Sequence, residues 1–487
     1  MWLTIYYFFS YVVFFYSIAT MVLLLLLAVQ SLRAQHNLAI DKPSDDTIRY
    51  MLKGSPLTPA VSIIAPAYNE ELTIIDNVYS MLQIYYPDYE IIVVNDGSTD
   101  KTLELLIDEF KLVEVPFINA LRVPSQPIKR VLRSTDPQFD KIVVVDKVHG
   151  GRKADGSNAG INVCTTKYFV STDVDCIIEP MALYRMMWLV VNSHEPMIGV
   201  GATMLMLNGC TIKDGHVEKA AVSNNPLPMF QQLEYMRSFL IGKLGWSSIN
   251  ALPNISGGFG LFDTEIVVKS GGYDPTSMAE DVDLLLRMVT YMKNSGQKFR
   301  LGQIPQVSCW TEGPFTITSL YRQRVRWARG LCEIVSHHRS LFFNPHYGKI
   351  GGLVLPYIFI FEFIAPILET GGWIFLIWLI LSGAVNWGPA LVIFAMIYIF
   401  SISVTFLTLI YDYSLRVVQW HSPTRSYLKL ILAGIVEPIL YHPFITLFSI
   451  IGYFNFLRHS AAIWHPIQRH GSYRTQTSEN HEEQTRQ

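Results

Sequence analysis

The sequence predicts an α/β domain built on a parallel sheet and held between membrane-spanning helices. Three observations predict it. Four short apolar runs, at residues 61–66, 90–97, 141–146 and 168–173, are separated by stretches of helical periodicity. Unalternated apolar strands joined in this way form parallel sheets covered on both faces. Residues 60–345 alone have ordinary soluble composition, and on either side lie apolar runs long enough to cross the roughly 30 Å hydrocarbon core of a bilayer. The 487-residue chain is half hydrophobic with 16% charged residues and a formal net charge of −2, a balance that leaves no footprint for nucleic acid.

Residues 2–30 contain no Asp, Glu, Lys or Arg, and the first charge is Arg33. A secretory leader would open with a basic region and a shorter apolar stretch, so residues 1–32 read as a retained transmembrane helix. Arg33 and Lys42 follow it, which places the N-terminus outside and residues 33–345 in the cytoplasm. The run 61–66 ends at Pro66, and a helical pattern begins at Glu70. The runs 90–97 and 168–173 deliver Asp96 and Asp173 to the carboxyl ends of strands, where open α/β sheets bind ligands. Residues 115–140 hold four prolines with Lys129, Arg130 and Arg133 and read as a solvated loop. The five cysteines lie far apart and form no CxxC pair, so they read as reduced core or pocket thiols of a cytosolic domain.

An amphipathic interfacial helix is expected near 316–340, followed in 346–458 by apolar blocks at about 351–384, 389–411 and 430–456. The first is interrupted by Glu362, Pro366 and Glu369, and reads either as an interfacial helix plus a span or as one kinked span. The third is interrupted by Glu437, Pro438, His442 and Pro443. Acids at such depths either face a protein interior or wet cavity, or snorkel to an interface; both readings stay open. Residues 459–487 read as a cytoplasmic tail with a polar, disordered end, which requires an even number of spans after the domain.

Six motifs carry chemistry. Asp173-Val174-Asp175 sets two carboxylates at a strand end, a pattern that binds a hard divalent cation together with substrate phosphates. Asp96 can accept hydrogen bonds from a base or ribose, whereas Asp100 reads as turn and cap chemistry, with Ser98 or Thr99 as N-cap. Lys153, on a glycine-rich turn, offers a point charge to a phosphate. Asp281, in Ala279-Glu280-Asp281-Val282-Asp283, is the candidate general base, while Glu280 and Asp283 suit the dipole of a helix start. Gly257 and Gly258 let backbone approach a ligand closely; Phe259 beside them is either a ring for stacking on a sugar or a core aromatic. Gln323, Arg326 and Trp327 stand at i, i+3 and i+4 and share one helix face. An amide, a guanidinium fork and an indole there suit a diphosphate beside a sugar ring.

In order, PAYNEE, NDGSTD, GRKADGSNAG, DVD, SGGFG, AED and QRVRW resemble the motif series of membrane-embedded family 2 glycosyltransferases, the group of cellulose, hyaluronan, chitin and poly-N-acetylglucosamine synthases. The resemblance runs from residue 61 to 327, with apolar flanks at both ends. It implies a GT-A fold and inverting transfer from a nucleotide-diphospho-sugar. By motif matching, Tyr68, Glu70 and Asp96 would line the nucleoside site. Lys153 and Asp173 would contact the donor, Asp173 and Asp175 would bind Mg²⁺ or Mn²⁺, and Asp281 would be the base. Gln323, Arg326 and Trp327 would close over donor and acceptor, with Gly257, Gly258 and Phe259 facing the acceptor. Ala279 stands where the family usually has Thr, and Gly258 where several synthases carry Cys, which leaves acceptor identity open.

The expected function is metal-dependent transfer of a sugar, UDP-linked by resemblance, to a growing polysaccharide by a multi-pass plasma (inner) membrane protein with a cytoplasmic catalytic domain. The alternative is single-sugar transfer to a lipid or lipid-linked acceptor. A third reading, an inactive assembly or transport subunit, predicts broken carboxylates, and the expected ones are all present. The resemblance leaves room for export or assembly subunits as partners.

Overall fold

The computed structural model describes residues 2–458 apart from positions 42, 57, 119 and 214. Lys42 and the expected tail 459–487 therefore lie outside the described residues. Helix α1 (Trp2–Asp41) runs unbroken past residue 32, and α2 (Asp45–Lys53) leads to the sheet. The first half then alternates β1 (Val61–Ala67), α3 (Ile74–Leu82), β2 (Tyr89–Asn95), α4 (Thr102–Phe110), β3 (Leu112–Val115), β4 (Ile128–Ser134), β5 (Ile142–Lys147), α5 (Lys153–Val163) and β6 (Tyr168–Thr172). The second half continues with β7 (Ile177–Ile178), α6 (Ala182–Val191), β8 (Met197–Met206), β9 (Thr211–Lys213), β10 (His216–Lys219), α7 (Pro226–Arg237), α8 (Leu244–Ser248), β11 (Phe259–Asp263), α9 (Thr264–Lys269), α10 (Glu280–Asn294), β12 (Arg300–Thr311) and α11 (Ile317–His337).

Ten strands form one sheet in the order β3-β4-β5-β2-β1-β6-β11-β8-β12-β7. The four strands legible in the sequence, β1, β2, β5 and β6, are its contiguous centre and pair in parallel. Their side chains are buried on both faces, in two apolar clusters that contain Ile63 and Ile91 on one side and Ile64 and Ile92 on the other. The sheet as a whole is mixed, because β11 pairs antiparallel with both β6 and β8. This is the α/β GT-A arrangement, and it puts Asp96 and Asp173 just past the ends of β2 and β6, the two parallel strands that flank β1.

Three local expectations are corrected. Residues 115–140 are not simply a solvated loop. Strand β4 pairs with β3 and β5, buries Val131 and Leu132, and sets Arg130 against Asp146 at 3.2 Å. The prolines that disguise it lie outside the strand. The helix after β1 starts at Ile74, because residues 70–73 form a turn in which the Glu70 carbonyl accepts from Thr73 and Ile74. Neither Ser98 nor Thr99 caps α4; Asp100 does the capping work, accepting from the Thr102 amide at 3.0 Å.

Among the described residues, three helices are long and apolar enough to cross a membrane: Ser10–His36, Ile350–Leu381 and Trp387–Leu415. The second contains α12 (Leu355–Tyr357) and α13 (Ala365–Leu381) with π-helical turns at Ile350–Val354 and Ile358–Phe363, so the first apolar block is one interrupted helix. The third helix is α14 (Trp387–Leu415). The last block breaks into α15 (Pro423–Leu440) and α16 (His442–Leu457), which meet at 48°. Pro438 and Pro443 account for the break, since a helix-interior proline removes a hydrogen bond and clashes with the preceding turn.

Candidate active site

The predicted site residues other than Phe259 gather around one cavity of about 2280 Å³. At the sheet end of this cavity, β2 presents Asp96. Its carboxylate is largely buried and engaged from within: Lys147 forms an ion pair with it, and the Gly150 amide donates to it at 2.9 Å. His149 contacts the same carboxylate at 3.1 Å and stacks on Tyr68, with ring centroids 4.3 Å apart. Asp96 thus holds the turn that backs the Tyr68 ring. Glu70 lines the same end, its amide bonded to Thr102 Oγ1 at 2.9 Å. Lys147 and His149 were not singled out from the sequence. They directly follow the strand of residues 141–146, so the strand-end rule applied to Asp96 and Asp173 reaches them too.

Beyond β6 the chain turns through Asp173, Val174 and Asp175. Asp173, Asp175 and Cys176 place one ligand atom each within 4.8 Å of one another. All five cysteines are free and buried, as expected, but Cys176 belongs to this cluster as well. Lys153, at the start of α5, reaches Asp173 Oδ1 at 2.6 Å and the Gly257 carbonyl at 2.5 Å. Burial works against the Lys153 charge, but the Asp173 carboxylate outweighs it and holds the amine above its ordinary value.

The Gly257–Gly258 segment is the junction of the site. The Gly257 amide donates to Asp281 Oδ2 at 3.0 Å, and the Gly258 carbonyl accepts from the Thr172 hydroxyl at 3.1 Å and the Asp173 amide at 3.3 Å. A Cβ at Gly258 would stand 2.5 Å from Met204 Cε and 3.3 Å from Asp173 Oδ2, so a larger residue there requires the end of the Met204 side chain to move. Phe259 is not available for stacking on a ligand. It starts β11, pairs with Thr172 and is fully buried in the core. The strand is covered on both faces, which decides for the core aromatic.

Asp281 stands in the first turn of α10, held by the Gly257 amide and, through Oδ1, by the Val282 amide at 2.9 Å. Glu280 does more than serve the helix dipole, because it opens into the cavity beside Asp281. Burial, then the Asp281 charge, pushes it above the usual carboxylate range, against Arg326 and Lys153. Asp283 is a structural tie instead, bonded to Arg287 at 2.6 Å and His338 at 2.8 Å.

Helix α11 brings Gln323, Arg326 and Trp327 to the cavity on one face, as their spacing requires. Gln323 Oε1 is buried with no hydrogen-bond partner among the described residues, and Trp327 is 37% exposed. Arg324 borders the same cavity but is tied into the structure. Its guanidinium makes a two-pronged pair with Glu234 on α7 at 2.6 Å, bonds the Tyr441 hydroxyl at 3.0 Å and lies 4.6 Å from the Trp327 ring centroid. On the opposite side α16 approaches so closely that a Cβ at Gly452 would lie 2.7 Å from Ala328 Cβ.

The cavity continues past α11 between the apolar helices, where Glu362, Glu369, Glu437, His442, Tyr398 and Ser401 line it. The depth acids therefore face a cavity rather than snorkel. Glu369 accepts from Thr446 at 2.6 Å and contacts His442 at 3.1 Å. Glu437 pairs with Arg237 of α7 at 2.8 Å.

A family model described as glycosyl transferase family 2 matches residues 62–122, and one described as glycosyl transferase family group 2 matches residues 233–467. The poly-beta-1,6-N-acetyl-D-glucosamine synthase of Staphylococcus aureus strain COL is 28% identical over 351 residues, spanning 69% of this chain and 68% of that one. The synthase of the same name from Staphylococcus epidermidis is 27% identical over 283 residues, 56% and 55% of the two chains. Among solved structures, a mannosyltransferase from Pyrobaculum calidifontis overlaps 89% of this chain and all of its own at 15% identity and a TM-score of 0.48. The two family models lie on either side of the Asp173 turn, and the first of them spans Tyr68, Glu70 and Asp96 while the second spans Asp281 and the face of α11. This membrane protein belongs to the family 2 glycosyltransferases.

Proposed function

We propose that the protein moves a sugar from a UDP-linked donor to a growing polysaccharide and that the product leaves between its membrane helices. The observation that carries this reading is the single cavity, which runs from Tyr68 and Asp96 past Asp281 and Trp327 to Glu369 and Ser401. A transfer to one small acceptor needs no such extension.

Tyr68, backed by His149, and Glu70 receive the nucleoside, with Asp96 setting the turn behind them. Asp173 and Asp175 direct hard oxygen donors to one place beside an open cavity, a set that fits Mg²⁺ or Mn²⁺ completed by donor phosphates. Such an ion, when bound, offsets the charge that develops on the departing nucleoside diphosphate. Lys153 supplies a second positive charge next to the same phosphates. Asp281 takes the proton of the acceptor hydroxyl. The freed oxygen attacks the anomeric carbon from the face opposite the diphosphate. The new glycosidic bond forms as the anomeric carbon–phosphate oxygen bond breaks, and configuration inverts. Gln323 and Arg326 hold the donor against the Trp327 plate, and Gly257 and Gly258 let the acceptor come close.

Arg33 after the first apolar helix favours a cytoplasmic catalytic domain, 33–345, between the N-terminal helix and the membrane block 346–458 of a multi-pass protein. The similarity to poly-beta-1,6-N-acetyl-D-glucosamine synthases makes UDP-N-acetylglucosamine the first donor to try. The test is a donor screen on purified protein that reads UDP release and product length together. Long polymer from one UDP-sugar is expected; a short, organic-soluble product would contradict the reading.

A further inference from the structure

Lys243 lines the cavity and has no part in the chemistry above. It ends a π-helical turn, Ser238–Lys243, that joins α7 to α8. Such turns depart from the ordinary helical ladder and are frequent at functional sites. Here the first membrane helix pins the turn. Ser31 Oγ donates to the Leu240 carbonyl, and Gln35 Nε2 reaches the same oxygen at 3.4 Å, with all three residues buried. The backbone that carries Lys243 is therefore fixed from the membrane side.

The side chain itself is 7% exposed. Among the described residues it donates no hydrogen bond and has no carboxylate within 4.0 Å; its contact is the Phe239 ring, 4.5 Å from Nζ to centroid. A buried ammonium without a hydrogen-bonding or carboxylate partner is strongly disfavoured. The charges that bear on it are Asp281 on the transfer side and Glu362 on the membrane helix. Burial pushes the amine down to about 8 even though both acids oppose it. The donor phosphates are already served by Lys153, Arg326 and the Asp173–Asp175 pair, and the acids that act on Lys243 belong to the transfer side and to the membrane helix. What can reach it is an oxygen-rich, uncharged ligand lying between the base and the membrane helices.

We propose that Lys243 binds the acceptor, its ammonium donating to a hydroxyl or amide oxygen of the terminal acceptor sugar and holding that sugar between Asp281 and Glu362. The assignment rests on the glycan-acceptor reading above. The test uses full-length protein in lipid nanodiscs, with UDP-N-acetylglucosamine and a β-1,6-linked N-acetylglucosamine pentamer. Loss of a hydrogen bond to a charged group predicts that Lys243→Met raises the KM for the pentamer about tenfold or more, with a smaller change in kcat. The Kd for UDP should stay within about twofold of wild type, and Lys243→Arg should recover part of the pentamer KM. An unchanged pentamer KM, or a UDP Kd that weakens in step with it, overturns the assignment. Failure of the wild-type protein to extend the pentamer overturns the glycan-acceptor reading itself, a result visible before any variant is made.

Discussion

Asp281 carries the account at the scale of single residues. Two backbone amides, from Gly257 and Val282, donate to both of its oxygens; an asparagine keeps the size, can accept from only one of them, and loses the base. Asp281→Asn should lower transfer by about a hundred- to ten-thousandfold, with UDP affinity measured by calorimetry unchanged. Asp175→Ala tests the cation site separately. In wild type, UDP should bind more tightly with Mn²⁺ than with chelator, and the variant should lose that difference; an undiminished metal response would remove Asp175 from the ligand set. These carboxylates were legible because each falls at a strand end or a helix start, positions that local pattern marks. Phe259 was not decided in sequence, because whether a ring beside glycines faces a ligand or the core depends on which strands flank it. His149 carries a weaker local mark, because it lies in the turn beyond a strand end and its partners Asp96 and Tyr68 come from other strands.

Helix α11 is the element that joins the catalytic domain to the membrane block. Arg324 ties it to α7 and to the α15–α16 break, while Gly452 lets α16 seat against its back. Removing one member of a buried pair leaves the other charge uncompensated, at a cost of about 3–5 kcal/mol. Arg324→Met should therefore lower the melting temperature and transfer together. Trp327→Ala, at a partly exposed position on the cavity side, should cripple transfer with the melting temperature nearly unchanged. A large thermal loss in the tryptophan variant would make that residue packing rather than machinery. The shared face of Gln323, Arg326 and Trp327 follows from helical spacing alone. The role of Arg324 does not, because its partner Glu234 lies 90 residues away and only the fold brings them together.

Across the whole molecule, the sheet centre could be read from the four apolar runs because buried parallel strands show as uninterrupted apolar sequence. The antiparallel entry of β11 between β6 and β8 could not, since pairing direction leaves no local mark on a strand. The membrane blocks were visible by length, yet the inward aim of Glu362, Glu369 and Glu437 needed the cavity to be seen. That cavity makes its own prediction. Ser401→Trp, far from Asp281 along the membrane section, should shorten the product while leaving the Kd for UDP unaltered. The most direct test of a transfer site continuous with a membrane path places purified protein in sealed liposomes and supplies labelled UDP-N-acetylglucosamine from outside. Long polymer inside the vesicles, protected from an added glycosidase, is the predicted result; short product left wholly outside and open to the enzyme would contradict it.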